Sequence, residues 1–248
     1  MVFYVLFLII EMPATWLAWG LNYSTHGRIQ LDPITGNLWQ GTGRLVYHRP
    51  PSVPHEFGNT VWHINPLWLL MGSLQINWQS HVPDTRINIT VRMSSGQVIL
   101  LDTDAMFPAQ SMGALFPAAA LISPAGQLRL QIDKLTMDRN DGMSGGGNIQ
   151  WLGSGSAFTP VLPLGDYRLE VVGAGKTANL NLTTTRGALE ISGQGQWQST
   201  TGKIQFNGTA IPRDRAADLE SLLKLLGENQ GGGKRLLTMN AQLPLDIF

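Results

Sequence analysis

Apolar and polar residues alternate along most of this chain from Arg28 onwards. The alternation is regular in seven segments, residues 74–78, 87–93, 128–133, 167–171, 180–183, 188–191 and 204–206. A period of two residues is typical of β-strands with one dry face and one wet face. Gly, Ser, Asn and Pro separate the segments at short intervals, which favours antiparallel meanders over βαβ units. We therefore predict a mostly β fold, with a mainly antiparallel sheet that closes into a barrel, pairs as a sandwich or curls into a groove. Of these we favour the curled sheet.

The chain begins with a hydrophobic segment instead of an alternating one. Residues 2–10 are all apolar, and the run continues after a three-residue break. Together they make about 20 residues, which as a helix would span about 30 Å and cross a bilayer. Trp16 and Trp19 fit an interfacial aromatic belt at its far side. We predict a transmembrane anchor over residues 1–21 and a β-rich domain over residues 22–248.

Two alternatives to an anchor remain open, a cleaved signal peptide and a buried helix of a soluble protein. Signal peptides and anchors normally begin with Lys or Arg, and here no basic residue precedes the run. We expect the true start to lie upstream of Met1.

Three short helices are predicted to interrupt the strands. Asn65 is a good N-cap, Pro66 suits a first helical position, and Gly72 can end the turn. Residues 108–115 are predicted to form a second short helix on similar grounds. Residues 214–226 carry an apolar stripe at helical spacing, which predicts an amphipathic helix covering an end or open face of the sheet.

A glycine-bracketed stretch follows the hydrophobic segment. Gly36 and Gly41 flank Leu38 and Trp39. Glycine tolerates positive φ and close backbone approach, so this pattern predicts a strand, a bend and a second strand. The stretch is either a hairpin corner with its tryptophan in the core or a binding loop.

Several motifs, in this order and spacing, resemble the type II secretion system protein N family. The first is the G-x-L-W-x-G element at Gly36, and the second is W-x-x-x-P-x-x-L-L-x-G-x-L from Trp62 to Leu74, with Pro66 as its proline. A G-x-I-x-W element ends at Trp151, and L-G-x-Y follows at residues 164–167. The resemblance covers nearly the whole chain.

The resemblance implies an accessory inner-membrane protein that helps folded periplasmic proteins leave through the outer membrane. It implies an uncleaved anchor, a periplasmic bulk and contacts with the inner-membrane platform or the outer-membrane secretin. Protein N is also similar at fold level to AsmA-like proteins, whose long sheets form an open groove, so a membrane-anchored lipid-binding or lipid-transfer module is the alternative. The residues expected to serve structure or interaction are Gly36, Leu38, Trp39, Gly41, Trp62, Pro66 and Trp151.

Composition removes some classes of function. Lys plus Arg and Asp plus Glu are both 17, so the chain has no basic footprint for nucleic acid. Only 14% of residues are charged, which suits a β-rich extracytoplasmic protein. Without cysteine, disulfides and thiol chemistry are excluded.

The sequence offers no convincing catalytic or metal site. Ser144 stands in a G-x-S-x-G pattern, but a polar turn precedes it where an esterase needs a strand. Asp102 and Asp104 are expected to cap a turn. The five histidines lack the spacing of metal ligands. We expect no enzymatic activity and no cofactor.

Overall fold

The computed structural model describes residues 11–48, 55–115 and 122–242. The strands are β1 (Ile29–Gly36), β2 (Gln40–Tyr47), β3 (His55–Asn65), β4 (Ser73–Val82), β5 (Thr85–Ser94), β6 (Gln97–Pro108), β7 (Ala125–Asp138), β8 (Gly142–Gly155), β9 (Gly165–Gly175), β10 (Thr177–Gly187), β11 (Leu189–Gln198), β12 (Lys203–Pro212), β13 (Glu228–Asn229) and β14 (Arg235–Gln242). The α-helices are α1 (Thr15–Ser24), α2 (Met112–Leu115) and α3 (Ala216–Leu226), and the 3-10 helices are Pro66–Met71 and Ala109–Ser111.

All fourteen strands form one antiparallel sheet, which confirms the predicted fold class at that level. Strands follow each other in sequence order from β1 to β12, and β14 and then β13 complete the sheet. Among the described strands the edges are therefore β1 and β13, and no pairing between them closes the sheet. Short connections explain this order, because an antiparallel pair needs only a tight turn between its strands.

The strand register gives the sheet one polar and one apolar face. One row of directly paired residues on the polar face comprises Gln79, Asn88, Asp104, Gln131, Asn148, Glu170, Asn181, Gln194, Asn207 and Thr238. Neighbouring residues of each strand face the other way, and Leu130, Ile149, Leu169 and Leu182 form such an apolar row. The alternation in the sequence thus produces one polar and one apolar surface of the sheet.

The position of one cavity shows that the sheet is curled. Residues of β6 and of β14, seven strands further along, both line a single cavity of about 680 Å³. Neighbouring strands lie about 4.8 Å apart, so a flat sheet would separate these two by about 34 Å. The lining side chains belong to the apolar face, which is therefore the concave one.

The two ends of the sheet differ. We call one the turn end: it carries the turns at residues 37–39, 95–96, 139–141 and 199–202, together with the 3-10 helix Pro66–Met71. The described chain begins and finishes at this end, since Met12 lies beside the first turn and Gln242 pairs with Lys203. The opposite, helix end carries α2 and α3.

The helices occupy the places that the sequence predicts for them. The 3-10 helix begins after Asn65, whose side chain accepts a hydrogen bond from the Leu67 N–H at 3.0 Å, and Gly72 ends it with φ +70°. Residues 109–115 are helical, and α3 falls within the predicted residues 214–226. Leu219, Leu222 and Leu223 of α3 are buried.

The predicted anchor is only partly within the described residues. Residues 1–10 lie outside them, and residues 15–21 belong to α1, a ten-residue helix that follows the buried Ala14. Leu17 packs against the cluster around Trp62. In the part of the chain that the structure describes, no helix is long and apolar enough to cross a membrane.

Candidate functional site

The apolar face is partly covered and partly open. At the helix end, α3 packs onto Leu164, Leu189 and Ala210, and α1 covers the first strands around Trp62. Between these two covers lies the cavity of about 680 Å³. Every residue that lines it is apolar except Thr238; the lining includes Leu135, Leu169, Leu180, Leu182, Ile204 and Phe206. A concave apolar surface of this size suits an apolar ligand or the apolar side chains of a partner.

The cavity continues towards the turn end. Met137, Met143 and Trp197 line it and also line a second cavity of about 450 Å³. The second cavity is bordered by the turns at residues 95–96 and 139–141 and is mixed in character, with Asp138 and Lys176 in its wall. We call the concave apolar surface formed by these two cavities the trough. Its opening, or mouth, at the turn end is bordered by polar residues, while α3 covers the helix end.

Strand glycines shape the floor of the trough. A Cβ added to Gly193 would lie 2.5 Å from the Phe206 ring, and Gly195 and Gly208 also lie against this ring. Phe206 is consequently 9% exposed although it points to the open face. Because these three glycines have no side chains, the Phe206 ring can lie flat on the sheet. The ring thereby supplies the apolar contacts that the glycine-rich strands cannot make by themselves.

Five of the residues predicted for structure or interaction meet at the turn end. The Trp62 side chain is 1% exposed, and its indole N–H donates to the Leu38 carbonyl at 3.2 Å. Leu38 and Trp39 are half-buried against it, so Trp39 is only partly open to solvent. Gly36 turns the chain with φ +100°, and Gly41 lies beneath the Trp62 ring. This is a packed hairpin corner.

Pro66 and Trp151 lie apart from that cluster. Pro66 begins the exposed 3-10 helix directly after β3. Trp151 lies in β8, where its indole N–H donates to the Ala125 carbonyl at 2.8 Å and its ring is 6.0 Å from the Tyr167 ring. Trp151 therefore joins β7, β8 and β9 near the helix end.

The L-G-x-Y motif forms a cluster of hydrogen bonds beside Trp151. Asp166 is buried and accepts from the Gly153 N–H at 2.7 Å and from the Arg186 guanidinium. Burial alone would raise the pKa of Asp166, but these two donors outweigh it and hold that pKa below its usual value. Burial raises the pKa of Tyr167 to about 12, and its hydroxyl donates to the Leu189 carbonyl at 2.9 Å. Both groups stabilise the fold around residues 153–189.

The acidic pair of β6 corrects one sequence prediction. Asp102 and Asp104 do not cap a turn, because both lie within β6, where Asp102 adopts φ +43° at a register shift. Arg129 donates to both carboxylate oxygens of Asp104 at 3.1 and 2.9 Å, and this hydrogen bonding lowers the pKa of Asp104. The strong turn preference of Asp hid this bulge from sequence analysis.

The remaining candidate chemical groups lie scattered. Ser144 is exposed in β8, with a polar turn before it as expected, and pairs with Thr136 and Ala174. His26, in the turn before β1, His63, in β3, and His81, in β4, are exposed. Within residues 11–48, 55–115 and 122–242, no three His, Asp or Glu side chains gather in a way that could hold a metal ion.

The two edges of the sheet differ in how open they are. In β1, the register shifts between Leu31 and Ile34, around Pro33, which lacks an N–H. As far as the described residues go, β14 pairs on its outer side with β13 alone, at Arg235 and Leu236. Residues 237–242 contain no proline, glycine or charge. The strand register, and not any local sequence pattern, identifies this edge.

Comparison with known proteins gives a single assignment. No curated protein and no solved structure matches the chain. A family model does match, and it covers residues 27–238, from the turn before β1 into β14. The chain therefore belongs to the family described as type II secretion system (T2SS), protein N.

Proposed function

We propose that this protein is an inner-membrane accessory of the type II secretion machine that helps export folded periplasmic proteins through contacts with other components. Family membership supports the secretion role in general. The observation that carries the contact mechanism is the outer edge of β14 at residues 237–242. An unpaired strand edge offers backbone donors and acceptors to an added strand.

The side chains of β14 define what would fit this edge. Leu237 and Met239 line the cavity on the concave side, whereas Thr238 and Asn240 pair with polar-face residues of β12. An added strand would continue both faces of the sheet. The partner segment is therefore an extended stretch with alternating apolar and polar residues, supplied by the inner-membrane platform or the outer-membrane secretin.

The membrane placement rests on the sequence. Residues 2–10 are uniformly apolar, and the described chain starts next to them at the turn end. We propose that the apolar run anchors the protein, with residues 22–248 in the periplasm; because Ala14 and Leu17 pack on the sheet, the membrane contact belongs to the part of the run that precedes them. Reporter fusions after Leu21 and after Phe248 should both give periplasmic activity, and cytoplasmic activity after Phe248 would contradict this arrangement.

The edge is tested by placing charge on it. Lysines at edge positions oppose strand addition. We expect Thr238→Lys with Asn240→Lys to raise the fraction of exported substrate left in the periplasm of a strain whose own copy is deleted. The matched control is Asn207→Lys with Gln205→Lys, since these residues are the direct register partners on the interior strand β12. Equal secretion by both variants at equal abundance would contradict a role for the edge.

A second candidate function is lipid binding in the concave trough. The cavity of about 680 Å³ with its almost wholly apolar lining favours it. Lipid retained by the purified full chain should be lost in Leu169→Glu, which charges the trough. It should persist in Val172→Glu, which charges the opposite face, where Val172 is 46% exposed. Equal lipid content in the two variants, or none in the unmodified chain, would exclude this function.

A further inference from the structure

The 3-10 helix Pro66–Met71 exposes an unusual set of side chains. Leu67, Leu69, Leu70 and Met71 are exposed, and Leu70 reaches 85%. Scattered exposed apolar residues are common, but four within five consecutive positions form a contiguous patch that indicates an interaction site. We call this 3-10 helix the apolar loop.

The apolar loop is held in a fixed conformation. The Asn65 side chain caps its start and Gly72, with φ +70°, ends it. Trp68 is turned towards the sheet, where the Arg92 guanidinium lies 3.9 Å from its ring centroid. Arg92 itself donates to the Gln75 side chain at 3.1 and 2.9 Å. These contacts fix the backbone of the loop, from which its four apolar side chains project.

The loop lies beside the point at which the N-terminal segment joins the sheet. The Leu38 N–H donates to the Met12 carbonyl at 2.7 Å, and the Ile64 N–H donates to the Trp39 carbonyl at 2.6 Å. Ile64 is two residues before Pro66. Met12, which follows closely on the apolar residues 2–10 in sequence, therefore lies at the same end of the molecule as the apolar loop.

We infer that the apolar loop inserts into the interfacial layer of the lipid bilayer, next to the N-terminal segment. Leucine and methionine side chains enter the boundary between headgroups and acyl chains, while the capped backbone stays at headgroup level. Residues 62–74 contain no acidic residue, and the charged group that contacts the loop is the Arg92 guanidinium. A positive charge at this place suits anionic headgroups. This insertion rests on the proposed membrane anchoring and adds a second contact. It would hold the mouth of the trough at the membrane surface.

The test measures membrane depth residue by residue. The chain contains no cysteine, so single cysteines at chosen positions can be labelled with a polarity-sensitive fluorophore. The full chain is reconstituted into vesicles of phosphatidylethanolamine and phosphatidylglycerol, with or without spin-labelled lipid. The variants are Leu70→Cys in the loop, Leu6→Cys in the N-terminal run and Leu225→Cys on α3. Leu225 is the matched control, because it is a leucine 60% exposed at the helix end.

We expect a blue shift at positions 6 and 70 and loss of their fluorescence when the bilayer carries spin-labelled lipid, with neither change at position 225. Quenching at 6 but not at 70 would overturn loop insertion and leave the anchor intact. Quenching at 70 but not at 6 would support the loop and contradict the anchor, and no quenching at either would contradict both. Equal quenching at 225 would overturn a specific contact. So would shielding of position 70 that needs added secretion proteins, which would make the loop a protein-binding site.

Discussion

Gly41 has no room for a side chain because Trp62 lies against it. An added Cβ would collide with the Trp62 ring and with the Thr35 carbonyl. At Gly36, φ is +100° and an added Cβ would lie 2.5 Å from the Gln40 carbonyl oxygen. The two glycines therefore act differently: one turns the backbone and the other makes space for an aromatic ring.

We predict that Gly36→Val and Gly41→Val each lower the free energy of unfolding by more than about 1 kcal/mol, through backbone strain and steric overlap respectively. Urea denaturation measures the effect. The control is Thr42→Val, an exposed strand position whose hydroxyl is 2.8 Å from the Thr35 hydroxyl; its change should stay within about 0.5 kcal/mol. Equal, small changes in all three variants would show that the glycines are incidental.

The second prediction at this scale concerns Asp166. The Gly153 N–H and the Arg186 guanidinium stabilise its carboxylate, so its pKa is lower in the folded protein than in the unfolded chain. A group with a lowered folded pKa contributes stability that is present above its unfolded pKa of about 3.9 and is lost as the pH falls through the folded pKa. Asp166→Asn places an amide opposite these donors and should lower the free energy of unfolding at pH 7 by about 1–3 kcal/mol.

The pH dependence separates this carboxylate from a packing effect. The deficit of Asp166→Asn relative to the unmodified protein should shrink as the pH falls below about 4, because the carboxyl of the unfolded chain takes up a proton there, whereas the folded protein, whose Asp166 pKa is lower, still holds the ionised form. Asp133→Asn, at an exposed position of β7, should show a small deficit throughout. A deficit for Asp166→Asn that stays constant down to pH 3 would contradict stabilisation by the ionised group.

Among the elements, strands could be predicted from the sequence because their pattern is local. Residues 87–93 and 128–133 alternate and fall within β5 and β7. The bulge at Asp102 could not, because nothing in an Asp-Thr-Asp sequence distinguishes a turn from a strand irregularity. The order of β14 before β13 in the sheet depends on long-range pairing, which no local pattern contains.

The candidate surfaces were harder to predict than the strands. Leu69 and Leu70 belong to an apolar pattern that looks like core, and only their place beyond the last residue pair of β3 and β4 exposes them. Trp39 had two interpretations, core or binding loop, and the structure places it half-buried against the cluster around Trp62. Exposure depends on what packs nearby, which a single sequence does not state.

Helix α3 offers a test at the scale of elements. Its stripe predicted a cover for the sheet, and Leu222, 5% exposed, packs in the cluster with Leu189 and Ala210. Leu222→Ala should lower the free energy of unfolding by about 2–5 kcal/mol, since it deletes buried methyl groups and leaves a cavity. Leu225→Ala, on the exposed side of the same helix, should change it by less than about 0.5 kcal/mol. Thermal denaturation of the pair checks this, and equal shifts would mean that α3 is not a packed cover.

On the scale of the whole molecule, the fold is a single curled layer whose candidate surfaces lie on different parts of it. The trough lies on the concave face, the open edge at β14 and the apolar loop at the turn end. Enzyme sites gather several polar groups in one pocket, whereas interfaces spread over area and depend on a few apolar anchors. This arrangement fits a protein that works by holding other molecules.

We therefore expect removal of any single chemical group to leave secretion of folded substrates intact. Ser144 pairs with Thr136 and Ala174, neither of which can act as a base, and His63 is exposed at the end of β3. Ser144→Ala, Asp102→Ala and His63→Ala should match the unmodified protein in the fraction of substrate left in the periplasm. The doubly charged edge variant, Thr238→Lys with Asn240→Lys, supplies the positive control, because it alters a surface and removes no reactive group. A Ser144→Ala variant that abolishes secretion at normal protein abundance would mean that the hydroxyl does chemistry, and the contact mechanism would have to be abandoned.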